Sequence, residues 1–133
     1  MKGLLTALTI LLSSLVAIGQ SCTMTLVIKS DTIFVDPDKA AHPEEGHELY
    51  FGWISNHMNQ KLVSNDEKLK KQVFVSFVVD EHGQLSNVKV EKGVGNPYDR
   101  EAIRLIRKHP YKWIPGQCRD KYVKSKVVWF VKF

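Results

Sequence analysis

The sequence predicts an α+β fold: a two-layer sandwich in which two helices cover one face of a three-stranded antiparallel sheet. Three observations predict it. Residues 72–93 read as a hairpin, with Val73, Val75, Phe77 and Val79 at period two, a polar loop, and then Val88 and Val90 alternating with Asn87, Lys89 and Glu91. Residues 122–133 read as a third strand, with Val123, Ser125, Val127, Trp129, Val131 and Phe133 on one side and Lys124, Lys126 and Lys132 on the other. Two segments with helical spacing flank the hairpin, which gives the order α-β-β-α-β with a strand-like extension at the N-terminus. A lone hairpin is marginal in water, so its dry face needs the cover that the helices supply.

Composition bounds the function. A chain of 133 residues is the size of one domain, and 44% hydrophobic with 25% charged residues is ordinary for a globular protein. The formal charge of +5 is spread along the chain. No basic stripe with interleaved aromatics is present, so nucleic acid is not an expected partner.

Residues 1–19 read as a signal peptide. Met1-Lys2-Gly3 is a short basic start, Leu4 to Ile18 carries no charge, and Ala17-Ile18-Gly19 places small residues before a cut ahead of Gln20. The apolar run is shorter than the about 20 residues that a membrane span needs. The expected location is the periplasm, with membrane contact only through a partner or if the leader stays uncleaved or is replaced by a lipid at Cys22. Cys22 and Cys118 are the two cysteines. In an oxidising compartment a disulfide between them would pin the mature N-terminus to the loop before the last strand, contributing about 4–5 kcal/mol in the chain-entropy model. Two unpaired thiols remain the alternative that spacing leaves open.

The extension spans residues 20–45. Residues 23–29 are strand-like, residues 32–35 suit a second short strand, and residues 36–46, with Pro37 and Pro43, read as a loop. The main domain spans residues 46–133. Residues 46–59 carry Leu49, Tyr50, Trp53, Ile54, His57 and Met58 at helical steps, an apolar stripe for the sheet. Residues 60–71 are polar and Lys-rich, a linker. Gly83 supplies the positive φ that a short hairpin loop needs. Asp99 is the expected N-cap of the second helix, whose apolar face is Ala102, Ile103, Leu105 and Ile106 and which Pro110 stops. Residues 113–117 are a tight connection.

No enzyme is legible. His42, His47, His57, His82 and His109 are scattered, and His42 and His47 lack the His-Glu-x-x-His spacing of a zinc helix. There is no serine elbow or phosphate loop, and Cys118 has no evident histidine to activate it. No cofactor and no metal are expected.

From Pro43 to Phe133 the chain resembles the C-terminal domain of TonB, the energy transducer of Gram-negative outer-membrane import, most of all its Bacteroidetes forms. Pro43-Glu44-Glu45-Gly46 through Trp53-Ile54 stands where the family has a Pro-Gly-Gly entry and a Phe-Ile helix. Residues 75–80 with Gly83, Val88 and Val90 match its hairpin; Gly93-Val94-Gly95, Asp99, Glu101-Ala102 and Arg104 match its second helix. Trp113, Pro115, Gly116 and Gln117 match its Trp-Lys-Pro-Gly turn. The chain departs in three places: Gln60-Lys61 stands where the family has Tyr-Pro, the run from Leu4 to Ile18 has no ionisable residue, and no Pro-rich spacer is present. The resemblance thus implies the docking domain without the motor coupling.

What it implies about partners is a TonB-dependent outer-membrane receptor, whose extended TonB box would add a strand to the last strand's edge. The implied contact residues are Tyr122, Val123, Lys124, Ser125, Lys126, Val127 and Val128. Closure of that edge by a homodimer, or by residues 23–35, is the alternative at the level of structure. At the level of function, the alternative is an accessory or structural cell-envelope protein that is not coupled to transport.

Overall fold

The computed structural model describes residues 22–28 and 31–133. The chain runs β1 (Thr23–Ile28), β2 (Asp31–Asp36), β3 (His42–Pro43), α1 (His47–His57), two 3-10 turns (Gln60–Leu62 and Glu67–Leu69), β4 (Gln72–Val79), β5 (Leu85–Lys92), α2 (Tyr98–Lys108), β6 (Trp113–Ile114), β7 (Gly116–Cys118), β8 (Lys121–Val123) and β9 (Ser125–Lys132). The α+β class and the two helices are as the sequence predicts. The signal peptide expected over residues 1–19 lies outside the described residues. Among the described residues no helix is long and apolar enough to cross a membrane.

The sheet departs from the three antiparallel strands expected. It has five strands in the order β1-β2-β9-β4-β5, and it is mixed. The N-terminal extension forms an antiparallel pair, β1 with β2, and β2 joins β9 in parallel through Phe34 and Ser125. The reason is general: an edge strand presents a row of unpaired backbone groups, and a strand-forming segment of the same chain is at hand to take them. At the centre, β4 and β9 pair in unbroken register from Gln72 with Lys132 to Val79 with Ser125.

The hairpin turn forms as the composition predicts. Gly83 has φ +80°, and a Cβ there would lie 2.1 Å from the Trp113 carbonyl oxygen, so only glycine fits. The Asp80 carboxylate accepts from the His82 and Gln84 N–H groups at 2.8 and 2.9 Å and closes the loop. In β5 the predicted alternation of Val88 and Val90 with Asn87, Lys89 and Glu91 forms, but it does not extend back to Leu85. Asn87 has φ 52°, and the register with β4 shifts between Ser76 and Val78, which marks a bulge. The bulge brings Leu85, Val88 and Val90 together against the core although 85 and 88 are out of period. The far side of β4 is also drier than expected: Ser76 and Val78 are buried there, and so is Ile33 of β2.

The core lies between sheet and helices. Val73, Val75, Phe77, Val79, Val131 and Phe133 come from the strands; Tyr50, Ile54 and Met58 from α1 and the residue that follows it; Ala102, Leu105 and Ile106 from α2. Two residues assigned to the stripe of α1 are corrected. Leu49 is exposed, and His57 is exposed on the surface with its ring stacked on Trp53 at 4.1 Å. The buried ridge is the i, i+4 row of Tyr50, Ile54 and Met58. Asp99 is not the N-cap of α2, which is Pro97. Its carboxylate instead accepts from the Val94 and Gly95 N–H groups at 2.9 and 3.3 Å and holds the preceding loop.

The stretch expected as one strand over residues 122–133 is two. Arg119 and Asp120 both have positive φ, 49° and 63°, the signature of a two-residue hairpin turn that pairs β7 with β8. The chain then breaks at Lys124 and enters β9. The residues read as a tight connection are therefore largely strand: β6 pairs with β3, and β7 with β8.

Candidate functional site

The functional question reduces to which backbone groups of β9 are free. Lys71 and Phe133 exchange both of their backbone hydrogen bonds, at 3.3 and 2.8 Å. Such pairs alternate along an antiparallel ladder, so residues 125, 127, 129, 131 and 133 direct their N–H and C=O groups at β4. The even residues direct theirs to the opposite edge. The Phe34 N–H reaches the Lys124 C=O at 2.8 Å from that edge, as the parity demands. A parallel bridge of Phe34 to Ser125 is completed by the Lys126 N–H on the Phe34 C=O. Asp36 then ends β2.

Past that point the edge is open. The Lys126 C=O, both groups of Val128, both groups of Phe130 and the Lys132 N–H face away from β4. Among the described residues no strand pairs with them. Their side chains lie on the sheet face away from the helices, with Val128 52% and Phe130 39% exposed. The Phe51 ring of α1 stands 5.4 Å from Trp129 and 5.5 Å from Phe130, so it reaches both faces of the strand and forms a wall at its edge. Phe74 of β4 lies beside Phe130 at 6.4 Å.

Charge frames the strand. Lys126 pairs with Glu91 at 2.5 Å and holds the Glu91 carboxyl below the usual carboxylate range. Lys124 donates to Asp31 at 2.8 Å, a contact that raises the Lys124 ammonium pKa and ties β9 to the start of β2. Lys132 meets Glu67 at 3.1 Å.

The residues singled out in the sequence fall into three groups. Tyr122 and Val123 are in β8 and pair with Gln117 and Gly116. Lys124 and Lys126 each give one group to Phe34, while Ser125 and Val127 point their backbone at β4 and their side chains at the core side. Val128 is the one whose N–H, C=O and side chain are all available. Sequence reasoning missed Phe34, Phe51, Phe130 and Lys132. The signal for Phe130 is its place in the alternation: it falls on the same side as Lys126 and Lys132, where an aromatic residue stands out.

Cys22 and Cys118 are joined as a disulfide with Cα atoms 6.0 Å apart. The bridge ties the residue before β1 to the end of β7. An Asp38 carboxylate oxygen lies within 4.8 Å of both sulfurs. That trio has metal-ligand chemistry in principle, but sulfurs joined to each other are not thiolate ligands. The Asp38 carboxylate is occupied by the Arg119 N–H at 2.8 Å.

A family model for the Gram-negative bacterial TonB protein C-terminal matches residues 65–133. The chain belongs to this TonB C-terminal family. The match runs from the second 3-10 turn through β9, so the candidate edge and strands β4, β5 and β9 of the sheet lie within it. The extension and α1 lie outside it, including the Pro43–Ile54 stretch where the resemblance was also drawn. Membership ties the chain to TonB-type function in the Gram-negative envelope, through a family of non-catalytic protein-interaction modules. No curated protein matches the chain.

Proposed function

We propose that this chain is a periplasmic docking module that captures an extended segment of a TonB-dependent outer-membrane receptor by adding it as a strand to β9. The observation that carries this reading is the run of outward backbone groups from the Lys126 C=O to the Lys132 N–H beside exposed Val128 and Phe130. Five residues of strand extend about 16 Å, enough for a short receptor segment. Main-chain bonds supply affinity, and the side chains of Val128, Phe130 and Phe51 supply selectivity.

Proline substitution tests it, because proline deletes one N–H at a time. Val128→Pro removes an outward donor and is expected to abolish capture of a receptor plug peptide while the far-UV spectrum and melting point hold. Val127→Pro removes a donor to β4 and is expected to unfold or strongly destabilise the domain. Full peptide capture by Val128→Pro would refute docking at this edge.

A second reading has its own observation: Phe34 already holds the first part of the edge. An accessory envelope protein, not coupled to transport, would have no need of a fully open strand. Failure of every receptor segment to bind, with capture of an envelope protein at another surface, would favour it.

A further inference from the structure

We propose that β2 is an internal competitor for the docking edge and that the Cys22–Cys118 disulfide latches it there, so that reduction of this bond opens the whole of β9 to a partner strand. The inference rests on the docking reading above and names the regulation of that site.

The argument begins with overlap. A partner strand pairing along all of β9 needs the Lys124 C=O and the Lys126 N–H, and Phe34 holds both. The partner and β2 therefore exclude one another over the first turn of the edge. The backbone hold of β2 on β9 is slight, although Ile33 of β2 is buried. β2 has one residue pair with β9, whereas β4 is paired from Gln72 to Val79. Its ion pair, Lys124 with Asp31, is largely exposed on the acid side, and exposed pairs contribute little.

Covalent and loop contacts hold the hairpin instead. On its outer side β2 is zipped to β1 from Asp31 with Ile28 to Asp36 with Thr23. The residue before β1 is Cys22, bonded to Cys118 in β7 across a sequence separation of 96. The exit from β2 is tied to the same strand: Lys39 and Gln117 exchange backbone bonds at 3.1 and 2.9 Å. Gly116 seats the assembly on β9, since a Cβ there would lie 2.8 Å from the Ser125 hydroxyl and 3.2 Å from Pro37. Both ends of the hairpin thus converge on the β7–β8 hairpin, and one of these attachments is a bond that redox chemistry can break.

Reduction by a dithiol breaks the S–S bond. Two electrons and two protons convert Cys22 and Cys118 to thiols, and the dithiol becomes a disulfide. The hairpin then keeps its non-covalent holds: the Lys39 and Asp38 ties to the β7–β8 hairpin, the buried Ile33, the exposed Lys124–Asp31 pair and its single residue pair with β9. A binding-competent state that was rarely populated becomes common, and apparent affinity rises by the same fraction.

The test uses the mature chain and a fluorescent synthetic peptide of the N-terminal plug segment of a TonB-dependent receptor from the same genome. Reduction with a phosphine is expected to tighten binding about tenfold, and Cys22→Ser to match the reduced protein and ignore the phosphine. Phe34→Pro, which removes the donor to Lys124, is expected to tighten binding with the disulfide intact. Equal affinity in the oxidised, reduced and Cys22→Ser forms overturns the latch and leaves docking standing. If no form binds the peptide, the docking reading fails. The latch is then decided by hydrogen exchange at the Lys126 amide. Faster exchange on reduction supports it, and unchanged exchange overturns it.

Discussion

His109 shows how a single residue sets a pH dependence here. It follows α2, and its ring stacks on the buried Tyr50 ring at 3.7 Å. Burial pushes its pKa down from 6.5 to about 4, so the folded protein favours the neutral imidazole. The unfolded chain binds the proton more readily, so stability is full above the ordinary histidine range and is lost as pH falls from 6.5 towards about 4. Glu101 acts in the same direction lower on the scale. The Arg104 side chain holds its carboxyl below the usual range, and that contribution is lost as the carboxylate takes up its proton. The melting point of the wild type is expected to fall between about pH 7 and pH 4.5. His109→Phe is expected to flatten the upper part of that fall. Thermal melts across the pH series check it, and an unchanged slope in the variant would place the effect elsewhere. None of this was legible in the sequence, where His109 is one of five scattered histidines. The contact that matters joins it to Tyr50, far away in the chain.

Elements were legible where local pattern decides them. Val73 to Val79 at period two, the loop with Gly83, and the apolar spacing of α2 all signal their structure within a few residues, and each forms. Three features escaped because they are settled by partners or by unusual backbone. The bulge at Asn87 is the price of aligning Leu85 with Val88 and Val90, and only the broken alternation hinted at it. The parallel pairing of Phe34 with Ser125 joins residues from opposite ends of the chain. The β7–β8 turn lacks the Asn-Gly or Asp-Gly pair that marks such turns. That turn yields a prediction. Arg119 sits at φ 49° with its side chain exposed, while its N–H bonds to Asp38. Arg119→Gly removes the left-handed strain and keeps the N–H, so it is expected to stabilise the fold by about 0.5–1 kcal/mol in a urea melt. Destabilisation would show that the Arg119 side chain contributes more than its backbone costs.

At the scale of the molecule, the α+β class and the family were legible, because the Trp113, Pro115, Gly116 and Gln117 motif and the hairpin are local in the chain, while the five-stranded mixed sheet was not. The sequence set the proposed edge at residues 122–128, whereas the unpaired backbone groups of β9 run from Lys126 to Lys132. Residues 122–128 include the part that pairs within β7–β8 and the part that Phe34 holds, while the open part runs on to Lys132. Which groups are free depends on the parity of the β4–β9 ladder and on where β2 ends, and neither is written locally in the chain. The account stands on that parity, and amide hydrogen exchange reads it directly. In the free protein the N–H groups of Val127, Trp129 and Val131 are expected to be protected, and those of Val128, Phe130 and Lys132 to exchange fast. With a receptor plug peptide at saturation, the second set is expected to become protected while the first is unchanged. Protection of Val128, Phe130 and Lys132 in the free protein, or no change there when the peptide binds, would contradict a docking strand at this edge.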